Sequence, residues 1–333
     1  MHILLTGSTG FIGQRLARRI VERGDTLTAL VRRTSKRGIL EQIGARFAVG
    51  DLLTGDGLAD AVKGVDCVVH LAGVTKARDQ EGFLQNNVEG TRRLVKAMAE
   101  LPTAPRLVYC SSLAAAGPSV PGRPRREEEP PSPVSMYGRS KLGGEQAVRE
   151  FAQRVPSIIL RPPIVYGPGD HEFLPAMLPM ARMGVMLKSG FGPKHYSLIH
   201  VDDLCTALLA ATERGQTMRP EDPTSGVYMV SDGAEYRWED FCVALAQAMG
   251  RTKPAVVPVP EAVSYVVGLG SELAARLRGT LPALNRDKVR EMRCAAWTCS
   301  TERAAKELGF TAAIQLAQGL ASALAPEAQA PGR

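Results

Sequence analysis

Paired cysteines are missing from this chain. Its six cysteines, Cys67, Cys110, Cys205, Cys242, Cys294 and Cys299, are scattered without a single C-x-x-C pair. Nothing in that spacing suggests a disulfide framework or a cysteine zinc site, and a reducing cytoplasm is the simplest compartment. The five histidines show no ligand spacing, so no metal is expected. Long apolar runs are missing too. The most apolar later stretch, Ala262 to Gly270, is bounded by Glu261 and Glu272 and falls short of the ~20 residues a membrane span needs. It reads as a core or interface helix, with contact between residues 262–277 and a membrane surface left open as the alternative. The amino terminus carries no charged segment followed by a long apolar stretch and a small-residue cleavage site, because polar turn residues arrive at Thr6; secretion is not expected. Nor is there a concentrated field of one sign. The formal charge of +7 is dispersed, and its one dense block, Arg123 to Arg126, is answered at once by Glu127, Glu128 and Glu129. No nucleic-acid partner is therefore expected.

What the chain does contain is ample core material, 44% hydrophobic against 23% charged residues over 333 positions. That suits a soluble globular protein of one elaborated domain or two. Short apolar runs at 3–5, 27–31, 46–49, 67–71, 107–110 and 158–160 alternate with helical patterns near 12–23, 81–100 and 138–153. This βαβ rhythm predicts an α/β fold with a doubly wound parallel sheet, in which ligands sit beyond the carboxyl ends of the strands. After Gly167 the pattern turns to helices and short irregular pieces. Residues 168–324 are expected to form mainly a smaller, interleaved substrate-binding region, with segments near 197–212 and 227–232 returning to the first domain, 1–167. Residues 325–333 read as a disordered tail. The Pro-, Gly- and charge-rich segment from Gly117 to Ser135 reads as a long mobile loop, either a cover for substrate or a plain surface insertion.

Between the apolar run His2–Leu5 and an amphipathic helix lies Thr6-Gly7-Ser8-Thr9-Gly10-Phe11-Ile12-Gly13. In a strand-to-helix loop, Gly7 allows the tight turn, Gly10 lets backbone approach a pyrophosphate, and Gly13 lets the helix lie near the strand. The free N–H groups and positive dipole end of the helix favour an anion there. Further on, Tyr137 and Lys141 stand four residues apart at the start of a helical stretch, on one face. An ammonium beside a tyrosine draws its pKa down from ~10 towards neutrality and fits it for proton exchange with a substrate oxygen. Tyr109-Cys110-Ser111-Ser112 ends an apolar strand and puts a hydroxyl at the ligand-binding edge; Ser112 is the candidate to bind that oxygen, with Ser111 its rival.

Several motifs occur in order: the glycine loop, Gly50-Asp51-Leu52, His70-Leu71-Ala72-Gly73, Asn87-Val88-Glu89-Gly90-Thr91, Ser111-Ser112, Tyr137 to Lys141, and Arg161-Pro162-Pro163-Ile164-Val165-Tyr166-Gly167-Pro168. Together they resemble the extended short-chain dehydrogenases/reductases, the NAD-dependent epimerase/dehydratase type, over nearly the whole chain. That superfamily includes nucleotide-sugar epimerases and dehydratases, dihydroflavonol reductases and 3β-hydroxysteroid dehydrogenases. The resemblance implies a Rossmann-type NAD(P)-binding domain and a possible homodimer. It implies that Tyr137 is the general acid/base, that Lys141 lowers its pKa and holds the nicotinamide ribose, and that Ser112 orients the reacting oxygen. By the same resemblance Gly7, Thr9, Gly10, Phe11, Ile12 and Gly13 hold the cofactor phosphates. Asp51 and Leu52 lie by the adenine, Leu71, Ala72 and Gly73 along the cofactor backbone, and Pro163 and Ile164 near the nicotinamide. Asn87 supports a proton path or ties down a helix.

An acidic residue about 20 positions beyond the glycine loop commonly binds the adenosine ribose, whereas arginine accommodates a 2′-phosphate. Here the second strand ends in Arg32-Arg33, which favours NADP(H), with NAD(H) the alternative. For the substrate, nucleotide-sugar members carry polar groups that this chain replaces by Ala116, Ile164 and Tyr196-Ser197. Met177, Met180, Met183 and Met186 add adaptable apolar volume, as a substrate wall or as core. The expectation is a reductase or dehydrogenase acting on a lipophilic ring alcohol or ketone of hydroxysteroid type. The alternatives are a nucleotide-sugar epimerase/dehydratase with retained NAD(P), and a non-catalytic dinucleotide sensor or scaffold.

Overall fold

Along β1 (His2–Thr6), Ile3 and Leu5 face one side of a sheet and Leu4 the other, the period-two alternation of an extended strand. The same alternation recurs in β4 (Cys67–His70), β5 (Arg106–Cys110) and β6 (Ser157–Arg161), whose interior residues are all buried. Two apolar layers result. One packs Ile3, Leu5, Val69, Val108 and Ile158 against Leu16 and Ile20 of α1 (Phe11–Glu22) and Leu204 and Leu208 of the Val201–Glu213 helix. The other packs Leu4, Val68, Leu107 and Ile159 against Leu94, Val95 and Met98 of the Gly90–Ala99 helix and Val148 of the Met136–Arg149 helix. A strand buried on both faces reads as a continuous apolar run, as these do.

With β2 (Thr26–Val31) and β3 (Arg46–Val49), these strands and Val227–Met229 form a seven-stranded parallel sheet in the order Val227–Met229, β6, β5, β4, β1, β2, β3. It is a Rossmann-type α/β fold. The order reverses between β1 and β4, so a crevice opens beyond their carboxyl ends, the place where such sheets bind ligand. The computed structural model describes residues 1–278, 280 and 285–325; the expected tail beyond 325 lies outside the described residues.

Later segments are woven into the first. The Val201–Glu213 helix is clamped to α1 by a bidentate pair, Arg15 Nε and Nη2 donating to Asp202 Oδ1 and Oδ2 at 2.6 and 2.7 Å. A third apolar cluster, with Tyr166, Leu174, Met186, Phe241, Leu245 and Leu320, fills the carboxy-terminal part. The segment 117–135, expected to be mobile, is instead sewn down. Arg125 is buried, its backbone N–H donates to the Thr298 carbonyl and its own carbonyl accepts from Ser300 N, both at 2.9 Å. Its guanidinium donates to the carbonyls of Ala116 and Pro130, and buried Glu127 accepts from Met229 N at 2.8 Å. Proline and glycine content signalled irregular backbone correctly; it carried no information about these distant partners.

Candidate active site

Each glycine of the loop after β1 answers a different spatial demand. Gly7 has φ +68°, and a Cβ on it would stand 2.7 Å from Ala72 N. On Gly13 a Cβ would meet the Gly7 carbonyl oxygen at 2.1 Å, so only hydrogen lets α1 begin this close to the loop. Gly10 is exposed and extended, with φ −83°, and a Cβ there would touch only the Gly7 oxygen, at 3.3 Å. Its unoccupied side faces outward. No side chain caps α1 and no acidic residue sits in its first turn, which leaves its leading N–H groups for an anion. The cradle therefore fits a dinucleotide pyrophosphate. Thr9 is exposed, Phe11 and Ile12 are half-buried.

Across the crevice, Leu71 N donates to the Thr6 carbonyl at 3.3 Å and Ala72 N to Thr6 Oγ1 at 3.1 Å, which docks Leu71-Ala72-Gly73 against the glycine loop. At the end of β2, Arg32 and Arg33 are exposed, and neither has a carboxylate partner among the described residues. Past β3, Asp51 Oδ1 accepts from Leu53 N at 2.8 Å, and Leu52 packs half-buried against the helical layer. All these residues lie on one carboxyl edge of the sheet.

The candidate catalytic residues stand at the same edge. Ser112 follows β5 and caps the Leu113–Ala116 helix, its Oγ accepting from Ala114 N at 3.2 Å. Tyr137, in the first turn of the Met136–Arg149 helix, lies close enough to Ser112 for the serine hydroxyl to lower its pKa. Lys141 is buried; its Nζ donates to the Cys110 carbonyl at 2.7 Å and lies 4.5 Å from the Tyr109 ring centroid. A Cβ on Gly73 would come within 3.9 Å of that Nζ, so the segment Leu71–Gly73 runs beside the lysine. Ser111 is committed elsewhere: its Oγ donates to Glu145 Oε1 at 2.5 Å. Of the two rival serines, Ser112 is the one beside Tyr137. Asn87 is buried and ties the Gly73 segment to the tyrosine helix, accepting from Val74 N at 2.8 Å and donating to Ser140 Oγ at 2.9 Å.

Lys141 pulls the Tyr137 pKa down, as its spacing implied, and Ser112 adds to that; burial pushes it up and outweighs both, so the net shift is upward. His70, at the end of β4, is wholly buried between Thr6 Oγ1 (2.6 Å) and Thr91 Oγ1 (3.0 Å), and burial pushes its pKa down to about 3. It stays neutral and holds the first strand to the helical layer.

Two supports had no local sequence signal. Glu145 and Arg161 form a fully buried bidentate pair at 2.6 and 2.8 Å, fixing the tyrosine helix to β6. Asp287, about 150 positions later, accepts from the backbone N–H groups of Met136 (2.6 Å) and Tyr137 (3.2 Å), while Glu291 accepts from Ser135 Oγ at 2.7 Å. Two carboxylates thus complement the positive end of the helix that carries Tyr137.

Pro163 and Ile164 are half-buried where the strand Ile164–Tyr166 begins. The methionines do not form a common wall: Met186 is buried, Met177 and Met180 pack on the same core, and Met183 points to solvent with 72% exposure. Apolar groups closer to the candidate tyrosine come instead from Val134, Leu113, Tyr196 and Trp297, which cluster with its ring.

A glycine-lined crevice at the switch point of a doubly wound sheet is the architecture of a dinucleotide-dependent oxidoreductase. The chain belongs to the NAD-dependent epimerase/dehydratase family, which matches residues 3–225. It is 31% identical over 301 residues to the ceramide reductase of Caulobacter vibrioides, covering 90% of this chain and 86% of that protein. It is 28% identical over 333 residues to the 4-hydroxy-2-methyl-3-oxo-4-farnesyl-3,4-dihydroquinoline-1-oxide ketoreductase of Stigmatella aurantiaca, covering 96% of this chain and 95% of that protein. Among solved structures, MoeE5 in complex with UDP-glucuronic acid and NAD is similar, with a TM-score of 0.73, 25% identity and 97% of each chain covered.

Proposed function

We propose that the protein is an NADP(H)-preferring reductase or dehydrogenase that interconverts a ketone and a secondary alcohol on a lipophilic substrate. The observation that carries the reading is the grouping of Tyr137 and Ser112 beside buried Lys141, at the edge where the glycine loop opens. In the reductive direction Tyr137 gives its hydroxyl proton to the substrate oxygen, and in the oxidative direction it takes that proton back. Ser112 binds the same oxygen and holds it in line with the tyrosine. Lys141 favours the tyrosinate left behind, and its own place is set by the Cys110 carbonyl. When bound, the nicotinamide supplies or accepts the hydride. Arg32 and Arg33, exposed at the end of β2 with no carboxylate partner among the described residues, suit the 2′-phosphate.

The apolar surroundings of Tyr137, and two relatives whose names specify a ceramide and a farnesylated quinoline substrate, support a lipophilic ketone over a nucleotide sugar. The test is stoichiometric oxidation of NADPH by the purified enzyme with long-chain or ring ketones. Tyr137→Phe is expected to lower turnover about 10³-fold; unchanged turnover overturns the assignment. Similarity to a structure holding a UDP-sugar and NAD favours a second reading, epimerisation with retained cofactor. Interconversion of UDP-sugars without net cofactor consumption would establish it instead.

A further inference from the structure

The helix Glu261–Arg278 is amphipathic in the reverse sense. Toward the protein it turns small and charged groups. Ser264 and Gly268 are buried, and a Cβ on Gly268 would lie 3.2 Å from Val289 Cγ2. Glu261 and Glu272 pair with Arg293 and Arg286 at 2.7 and 2.9 Å. Toward solvent it turns Val263, Val266, Val267 and Leu273, which are 49, 66, 53 and 60% exposed. A helix bordered only by water places its apolar stripe inward. The neighbouring ribbon, Val185–Ser189 paired with Ala255–Val259, continues the pattern: Leu187 and Val257 stand opposite each other and are 45 and 42% exposed. Phe191 beyond it is 74% exposed. Gly190 N donates to the Val259 carbonyl at 2.8 Å, which joins the ribbon to the start of the helix. Apolar surface on this scale marks an interaction site.

Charge identifies the occupant. Around this face Arg182, Arg251 and Lys253 are exposed and have no carboxylate partner among the described residues, whereas Glu261, Glu272, Asp287 and Glu291 are each paired with a cation. Two such surfaces repel each other, so a second copy of the chain is a poor cover; an anionic bilayer attracts both the cations and the apolar side chains. We propose that this face is a peripheral docking surface for an anionic phospholipid membrane. No helix among the described residues is long and apolar enough to cross one, so the contact is with the membrane surface. The docking helix rests through Gly268 on the Arg286–Arg293 helix, whose Asp287 holds the backbone of Tyr137. A depression of about 260 Å³ lined by Val134, Glu261, Arg290, Arg293 and Cys294 lies between them. Delivery of substrate from the bilayer by this route rests on the lipophilic-substrate reading; the docking itself does not.

The experiment is co-sedimentation of the full chain with phosphatidylcholine vesicles, with and without about one-third phosphatidylglycerol. The protein is expected to sediment with the anionic vesicles and to be released by high salt. Val266→Glu with Leu273→Glu, and separately Arg182→Glu with Lys253→Glu, are each expected to weaken partitioning by about tenfold or more. Circular dichroism and dinucleotide binding are expected to be unchanged in both. Absence of sedimentation by the unmodified protein overturns the proposal, as does equal sedimentation of folded variants. A dimer in solution that Val266→Glu with Leu273→Glu separates also overturns it, since the face is then an interface between copies. None of these readouts requires turnover, so a failure here is distinct from a failure of the ketone reductase reading.

Discussion

At the residue scale, the balance of forces on Tyr137 has a measurable sign. Burial raises its pKa above the ordinary value near 10 despite Lys141 and Ser112. The donor form therefore persists across neutral pH, and reductive kcat/KM is expected to be flat there and to fall only on the alkaline side. Oxidation needs the tyrosinate and is expected to rise with pH. Lys141→Met removes the lowering charge, so both limbs are expected to move to higher pH; profiles that stay in place would remove Lys141 from the proposed role. Arg32 offers a second residue-scale test. Losing one charge-assisted bond to a phosphate costs about 1.5–3 kcal/mol, so Arg32→Ala is expected to weaken NADPH binding roughly 10- to 100-fold and leave NADH binding unchanged. Equal loss for both cofactors would mean that Arg32 does not touch the 2′-phosphate. The residue types of this site were legible in the sequence because proton transfer and phosphate binding demand particular side chains. The choice between Ser111 and Ser112 was not, because it turned on Glu145, a partner 34 positions away from Ser111.

The element scale separates folding from binding within a single loop. A Cβ on Gly13 strikes backbone at 2.1 Å, and neither partner can retreat without moving β1 or α1. A Cβ on Gly10 is accommodated at 3.3 Å in an ordinary extended conformation, where a glycine-to-alanine change can stabilise by about 0.4–1 kcal/mol through the unfolded chain. Gly13→Ala is thus expected to lower the melting temperature. Gly10→Ala is expected to keep or raise it while abolishing dinucleotide binding, because the methyl fills the space left for phosphate. Calorimetry with a fluorescence titration of NADPH checks both; a Gly10→Ala protein that binds normally would place the pyrophosphate elsewhere. Strands and the first helices announced themselves through apolar period and glycine punctuation, which are local signals. The anchored 117–135 segment and the Asp287 support did not, because each depends on hydrogen bonds formed with residues more than a hundred positions away.

At the scale of the whole molecule, the buried ionisable groups make stability depend on pH in a predictable direction. His70 has a folded-state pKa pushed from 6.5 down to about 3, and burial lowers that of His200 as well. Between the two values the unfolded chain binds a proton that the folded one refuses. The stability attributable to a neutral buried imidazole is therefore complete above pH 6.5 and is eroded as pH falls toward 3. Asp202, held low by Arg15 against the opposing effect of its burial, loses stabilisation in the same direction at lower pH. Glu127 and Asp232, raised by burial, act oppositely, since their protonation favours the folded form. For His70 alone, lowering the pH from 6.5 to 5 is expected to cost about 1.5 kcal/mol. His70→Asn retains polar atoms near Thr6 and Thr91 but has no proton to gain. Urea unfolding of both proteins across this range should show a shallower decline in the variant, whatever its absolute stability. If the two curves run parallel, the acid sensitivity arises at other sites and His70 is not the group that couples the sheet to pH.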